Sequence, residues 1–156
     1  MFKPGTLAEV KEGTKGGWSM IISTMVDTIE NILANANYKL EEKNQLEIYV
    51  DDVKEKFGGL RFYYHLHCDE ELSPEDGPEH NRISDWERYQ SMIDGVIWFG
   101  TSLSYKTCMV CGKPGKLRKD GWMRTLCDEC FSAPSLEQNI YSGSKSNQNE
   151  RKEEEG

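Results

Sequence analysis

Apolar side chains recur with helical spacing in the first quarter of the chain. From Trp18 onward they lie three or four residues apart, which is the spacing of one face of a helix. The positions are Ile21, Ile22, Met25, Ile29, Ile32, Leu33 and Ala36. The opposite side is polar, so the pattern predicts a helix that packs one stripe on a core and ends near Asn37.

Alternation of apolar and polar side chains predicts a β-hairpin after this helix. Residues 46–50 and 60–66 both alternate, and the pair Gly58-Gly59 lies between them. The first strand changes parity after Val50, which a β-bulge at Asp51-Asp52 would correct. A short helix that ends at Gly58 is the alternative for the first strand, and we favour the hairpin.

An acidic loop and a long helix are predicted next. Residues 69–79 hold six carboxylates, no basic side chain and two prolines, which is the composition of an extended, solvated loop. Ser84 and Glu87 have the spacing of a capping box, so we expect a helix of about twenty residues to begin there. Gly95 and Gly100 lie within it, which we interpret as close packing on the hairpin or on the first helix.

Length, composition and charge narrow the class of protein. The chain has 156 residues with 19 basic and 27 acidic side chains, and its length favours a single domain. No apolar run approaches the roughly 18 residues of a membrane span, and no signal or transit peptide is indicated, so we expect a cytoplasmic protein. We divide the chain into a flexible N-terminal segment (1–17), an α+β body (18–105), a four-cysteine module (106–141) and a disordered tail (142–156).

Two Cys-x-x-Cys pairs are the strongest chemical signal in the chain. They are Cys108 with Cys111 and Cys127 with Cys130, and fifteen residues separate them. This spacing is typical of four thiolates that bind one Zn²⁺ tetrahedrally. Since four protein ligands leave no open position for water or substrate, we expect one structural Zn²⁺ per chain.

Three other uses of paired cysteines compete with zinc. Disulfides need an oxidising compartment, which nothing in the sequence indicates. A redox Cys-x-x-Cys pair normally lies in a βαβ unit, and the sequence predicts none. An iron–sulfur cluster also uses four thiolates, and the sequence leaves this alternative open.

The residues between and after the pairs predict how they meet. Gly112 suits the turn after the first pair, and Asp120-Gly121 is a two-residue hairpin signal. Asp128 and Glu129 suit the first turn of a helix. The expected fold is therefore α+β, with two helices and a β-hairpin followed by a treble-clef-like four-cysteine module; a zinc ribbon is the alternative.

Two blocks of the sequence resemble a family of small, largely uncharacterised bacteriophage and bacterial proteins. The blocks are VKEKFGGLRFYY (residues 53–64) and CMVCGKPGKLRKDGWMRTLCDEC (residues 108–130). The resemblance implies a zinc module that uses the four thiolates of the second block, and it implies no activity. It also suggests a phage origin, for which the expected compartment is the host cytoplasm.

Charge is segregated along the chain. Residues 106–124 carry six basic side chains against one acidic, a charge of +5, which leaves −13 on the rest. The basic side chains could bind nucleic-acid phosphates while an aromatic ring stacks on an unpaired base, or they could offset the charge of the zinc thiolates. The candidate contact residues are Lys113, Lys116, Arg118, Lys119, Trp122 and Arg124.

Three functions follow, in order of preference. A binding or regulatory module that acts through a protein partner is first, because the chain is small and lacks a recognisable catalytic constellation. Nucleic-acid binding by the basic hairpin, residues 113–124, is second. An enzyme is last: His65 and His67 share one strand face and could bind a second metal near Cys68 or His80, but an exposed polar surface is the stronger explanation.

Overall fold

The computed structural model describes residues 5–38, 45–67 and 80–133. This part of the chain forms helices and two antiparallel hairpins, so its class is α+β, as the sequence predicts. The elements are α1 (Leu7–Gly13), α2 (Ser19–Ala36), β1 (Glu47–Lys56), β2 (Gly59–His67), α3 (His80–Ser104), β3 (Lys116–Arg118), β4 (Arg124–Leu126) and α4 (Asp128–Ser132). The expected acidic loop and C-terminal tail lie outside the described residues.

Helix α1 (Leu7–Gly13) lies within the segment that the sequence predicts to be flexible, so that expectation is wrong for these residues. Thr6 and Glu9 form a capping box, in which the Glu9 backbone N–H donates to the Thr6 hydroxyl (3.2 Å) and the Thr6 backbone N–H donates to the Glu9 carboxylate (2.8 Å). Leu7 and Val10 are buried in the core. The Thr-x-x-Glu spacing stands in the sequence, and it is the signal that could have predicted this helix.

Helices α2 and α3 pack against each other and differ in how well their bounds were predicted. The predicted limits of α2 are confirmed, since it follows Trp18 and ends one residue before Asn37. Helix α3 begins at His80, four residues before the expected start at Ser84, and it is 25 residues long. Residues 80–83 contain neither proline nor glycine, so nothing stops the helix from extending upstream.

The β1–β2 hairpin and its bulge are confirmed, and the alternative helix is wrong. The strand register passes from Val50 opposite Tyr64 to Asp52 opposite Tyr63, which leaves Asp51 as the bulged residue. The turn consists of Phe57 (φ 54°) and Gly58 (φ 78°), one residue earlier than the glycine pair suggests. Positive φ at both central residues is the geometry of a tight hairpin turn that matches the twist of the strands.

One apolar core lies among α1, α2, α3 and the first hairpin. Its buried members are Leu7, Val10, Trp18, Ile22, Met25, Val26, Ile29, Ile32, Val50, Leu60, Phe62 and Ile93. A second cluster, in the four-cysteine module, contains Cys108, Leu126 and Cys127. Among the helices in the described ranges, none has the length and hydropathy that crossing a membrane requires.

The two glycines of α3 differ in their surroundings. A Cβ at Gly100 would lie 2.1 Å from Met25 Sδ of α2, so the expected close packing is confirmed there. A Cβ at Gly95 would meet no atom within 4 Å, so the expectation is wrong for that residue. Gly95 therefore faces open space.

Candidate metal centre

The four cysteines converge, although fifteen residues separate the two pairs. Their Sγ atoms all lie within 4.8 Å of one another, and the Cys111 and Cys127 sulfurs are 3.6 Å apart. Tetrahedral coordination with Zn–S bonds of about 2.3 Å implies sulfur–sulfur distances of about 3.8 Å. The cluster of thiols therefore has the right size to hold one metal ion.

A tight turn after α3 presents the first pair. The Gly112 N–H donates to the Cys108 carbonyl (2.9 Å), and the Cys108 N–H donates to the Lys113 carbonyl (2.8 Å). Gly112 has φ 77°, a conformation that residues with a Cβ adopt at a cost. These two hydrogen bonds close a tight turn. The sulfurs of Cys108 and Cys111 therefore lie on the same side of that turn.

The β3–β4 hairpin and α4 present the second pair. Cys127 lies at the N-cap of α4, where its sulfur accepts from the Cys130 N–H (3.4 Å). Backbone N–H groups that point at sulfur are suited to thiolates, because each donor stabilises negative charge. The first turn of α4 thus presents one sulfur from its cap and one from its interior.

The turn between β3 and β4 is longer than the sequence predicts. Arg118 pairs with Arg124, so the connection is the five-residue loop 119–123, and the expected two-residue turn at Asp120-Gly121 is wrong. A two-residue turn would shift the register by one and turn the side chain of Thr125 to the other face. The buried Thr125 hydroxyl donates to the Gly58 carbonyl (2.6 Å), and this contact requires the observed register.

The thiols have unequal proton affinities. Burial of Cys108 opposes its ionisation, but backbone hydrogen bonds from Cys111, Cys127 and Val110 together lower its pKa to about 6. Hydrogen bonds with the thiols of Cys127 and then Cys111 raise the pKa of Cys130 to about 12. Thiolates this close repel one another, and a divalent cation removes that penalty because it binds the deprotonated form.

The first turn of the module is anchored to the start of α2. The Gly17 N–H donates to the Met109 carbonyl (2.8 Å), and the Trp18 indole N–H donates to the Thr107 carbonyl (2.9 Å). A Cβ at Gly17 would lie 1.9 Å from the Cys108 carbonyl oxygen. Only glycine permits this close approach. The first turn of the module and the N-terminus of α2 are therefore packed directly against each other, and we call this contact the first joint.

The first hairpin turn forms a second joint with the module. A Cβ at Gly58 would lie 2.3 Å from Leu117 Cδ1. The block over residues 53–64 and the block over residues 108–130 are therefore in contact. No family model, curated protein or solved structure matches this chain. The contact between the two blocks is therefore known only from the geometry of this chain.

Acidic residues of α4 bind half of the basic candidates. Lys113 contacts Glu129 (2.6 Å), Lys116 contacts Asp128 (3.2 Å), and Arg118 also binds Asp128. The pKa of Lys113 is raised, first by its bond to Glu129 and, more weakly, by the thiols of the cluster. These contacts favour the interpretation that the bases offset nearby negative charge.

The remaining candidates occupy different environments. Lys119 and Trp122 are exposed in the loop between β3 and β4, whereas Arg124 is half-buried in β4. The sequence could not distinguish these environments, because all six residues lie in one short basic segment. The structure therefore divides the predicted contact residues into three that are ion-paired with α4, two in an exposed loop and one that is half-buried.

Among the described residues, the histidines of β2 belong to no cluster of three potential metal ligands. His65 Nδ1 lies 2.9 Å from an Asp51 carboxylate oxygen, and its ring stacks on Tyr49 at 5.4 Å. The His67 ring meets Tyr49 edge-on at 6.4 Å. Within the described ranges, the four cysteines are the one group of three or more potential ligands close enough to share an ion. The side chains of Cys68 and His80 lie outside the described part.

Proposed function

We propose that this chain is a small binding protein, stabilised by one structural Zn²⁺, that holds an amphipathic helix of a partner protein in a groove between α2 and α3. An accessory role of the phage type accords with the resemblance of the two sequence blocks. The single observation that carries the proposal is the apolar groove itself. It lies directly beside the shared core, since Met25 and Ile32 belong to both.

The groove is large and is lined by apolar side chains. Its volume is about 690 Å³, and α2 and α3 contribute equally to its walls. Met20 and Phe99 at its rim are 75% and 62% exposed. Contiguous exposed apolar surface of this kind marks interaction sites on soluble proteins, because leaving it in water is unfavourable.

The chemistry of the lining favours a helix over a small molecule. Small-molecule sites combine apolar walls with a few polar groups that orient the ligand. Here Thr24 and Thr28 carry the polar side chains, and their hydroxyls donate to the carbonyls of Met20 (2.8 Å) and Thr24 (2.7 Å) of their own helix. The lining therefore offers apolar contact area, but its hydroxyl groups are not positioned to orient a small molecule.

Two further features suit a helical partner. Met20, Met25 and Met92 line the groove, and the flexible thioether side chain of methionine adapts to different apolar surfaces. Gly95 lies in the same wall with open space before it, which allows a partner's side chains or backbone to approach closely. Helix-in-groove recognition uses apolar side chains at positions i, i+3, i+4 and i+7 of the partner.

Zinc is the metal that the thiol cluster supports best. The sulfurs lie too close together to surround a multi-iron cluster, whose own iron and sulfide atoms need space between the ligands. Four thiolates around one divalent ion match structural zinc. The order of turn, hairpin and short helix supports a treble-clef arrangement. In this role Zn²⁺ holds the module together and performs no chemistry on a substrate.

The groove is tested with a displayed library of amphipathic helices and a matched pair of variants. We expect selected helices to carry apolar residues on one face and to lose at least about tenfold in affinity for Phe99→Glu, because binding would bury an unpaired charge. Trp98→Glu is the control, since Trp98 is 75% exposed on the same helix but does not line the groove. Equal affinity for wild type and Phe99→Glu, or selection of no helix, would contradict the proposal.

The natural partner is sought by co-purification from nuclease-treated lysate of cells that contain the protein. The same partner should be recovered with wild type and Trp98→Glu, and lost with Phe99→Glu. Circular dichroism and melting temperature should agree among the three proteins, because both substituted side chains are exposed. Recovery of the bait alone at low salt would count against a protein partner.

A further inference from the structure

We propose that the end of the molecule where the two hairpin turns meet binds single-stranded nucleic acid, with Phe57 and Trp122 as stacking platforms for bases. This site is separate from the groove and does not depend on it. The β1–β2 turn carries Phe57, and the loop between β3 and β4 carries Trp122. Their side chains are 58% and 73% exposed.

The conformation of Phe57 is the first observation. Its φ of 54° lies in the left-handed region, and among the described residues it is the one non-glycine residue there. Tight hairpin turns normally place glycine, asparagine or aspartate at such a position. A buried aromatic ring could compensate this strain through packing, but the Phe57 ring is exposed. A sterically unfavourable residue with its ring in solvent points to use of that ring in binding.

The turn that carries Phe57 is held in place. The Gly58 carbonyl accepts from the Thr125 hydroxyl (2.6 Å), and the Gly58 N–H donates to the Glu55 carboxylate (2.6 Å). The four-cysteine module packs against the same glycine, since a Cβ there would lie 2.3 Å from Leu117 Cδ1. The ring is therefore presented from a rigid turn, which reduces the entropy lost on binding.

The two rings are carried by neighbouring turns. A Cβ at Gly58 would lie 3.3 Å from the Cα of Arg124, and Trp122 precedes Arg124 by two residues. Adding the intervening bond and Cα–Cα lengths limits the distance between the Cα atoms of Phe57 and Trp122 to about 16 Å. A short stretch of single strand can span this distance with a base on each ring.

Cations accompany both rings. Lys56 Nζ lies 5.4 Å from the centre of the Phe57 ring, and exposed Lys119 lies in the same loop as Trp122. Lys113, Lys116 and Arg118 are bound by carboxylates of α4. Lys56 and Lys119 are exposed, whereas Arg124 is half-buried, so the phosphate contacts are Lys56 and Lys119. This revises the set that the sequence indicates.

Stacking on exposed rings fits single strands better than duplexes. Bases in a duplex are already stacked and paired, and no described helix of the module is long enough to read a major groove. Aromatic rings beside cations are the usual means of binding single strands without sequence preference. For two phosphate contacts, the logarithm of the observed binding constant plotted against the logarithm of the salt concentration should have a slope of about −1.4.

Binding is measured by the fluorescence anisotropy of labelled oligothymidylate and of the corresponding duplex, at low salt and across a salt series. We expect binding of the single strand, weaker binding of the duplex, and a loss of about 5- to 150-fold for Trp122→Ala, the usual effect of losing one stacked base. Phe57→Gly should lose affinity similarly. Because glycine tolerates positive φ, that variant keeps the turn and at least the stability of the wild type.

Trp98→Ala is the control, since it removes a similarly exposed ring from α3. It should bind like wild type. The proposal is overturned if no complex forms at low salt, or if Trp98→Ala weakens binding as much as Trp122→Ala. It is also overturned if Trp122→Ala loses a protein partner while no oligonucleotide binds, because the same rings would then form a protein contact.

Discussion

The α+β body buries twelve side chains in one apolar cluster, whereas the cluster in the four-cysteine module has three buried members, two of which are cysteines. Leu126 is the one buried aliphatic residue of that smaller cluster. Hydrophobic burial must offset the conformational entropy of the chain, and so small a cluster cannot do this for the module. We therefore expect the body to be stable through packing, and the module to depend on a metal and on its contacts with the body.

The contacts between the two regions are few and specific. Gly17 and Trp18 bind the first turn of the module, and Gly58 receives the Thr125 hydroxyl from β4. A change at the metal centre should reach the start of α2 and the first hairpin turn through these joints. Trp18 belongs to the body core as well as to the first of these joints.

Loss of a metal ligand should have the largest effect. Cys108→Ser should abolish stoichiometric zinc binding and unfold the module, because the metal supplies the free energy that the small cluster lacks. Helices α2 and α3 should persist, since every buried residue of their core lies outside the module. Metal analysis and hydrogen exchange resolved by peptide measure both effects. Retention of one zinc per chain, or collapse of protection throughout the body, would contradict this division.

A cavity in the body core should have the next largest effect. Ile29 is fully buried in α2, so Ile29→Ala should lower the free energy of unfolding by about 2–5 kcal/mol. Zinc content should stay at the wild-type value at temperatures where the protein is folded. Met20→Ala, at an exposed position of the same helix, should change stability by less than about 0.5 kcal/mol. Denaturant titrations of both variants check the contrast.

A methyl group at the joint should affect both regions. Gly17→Ala forces a Cβ toward the Cys108 carbonyl and should cost about 1–3 kcal/mol, with weaker zinc retention against a chelator. Gly95→Ala is the matched control in open space, and it should stabilise α3 by about 0.5–1 kcal/mol. Effects of the same sign for the two substitutions would show that the joint is less tightly packed than described.

The exposed ion pairs of α4 should have the smallest effect. Arg118 and then Lys116 lower the pKa of Asp128, so this carboxylate is charged at neutral pH. Asp128→Asn should lower the melting temperature only slightly, and the difference should shrink as salt is added. Paired melting curves at low and high salt measure it. A large decrease that salt does not change would indicate a structural role for Asp128 beyond ion pairing.

Local patterns predicted the parts of the fold that depend on local interactions. The apolar spacing of α2, the parity change at the bulge and the Cys-x-x-Cys spacing each reflect contacts or ligands within a few residues. Helix α1 was missed although its Thr6–Glu9 capping box is also local. That error came from a short segment with too few apolar positions to show a period.

Other features depend on contacts between distant parts of the chain. The register of β3 and β4 follows from the bond between Thr125 and Gly58, which are 67 residues apart, and it overrides the turn signal at Asp120-Gly121. The pairing of three basic residues with α4 likewise requires the folded module. The groove could not be predicted, because a pattern shows which residues are apolar but not which remain uncovered.

The dependence of the module on a metal is tested most directly by measuring the metal content of freshly prepared, reduced protein before and after chelation. We expect one equivalent of zinc per chain, and we expect its removal to abolish hydrogen-exchange protection in residues 106–133 while protection in α2 persists. Protein that contains no metal when purified, and whose exchange pattern is unchanged by chelator, would contradict the account.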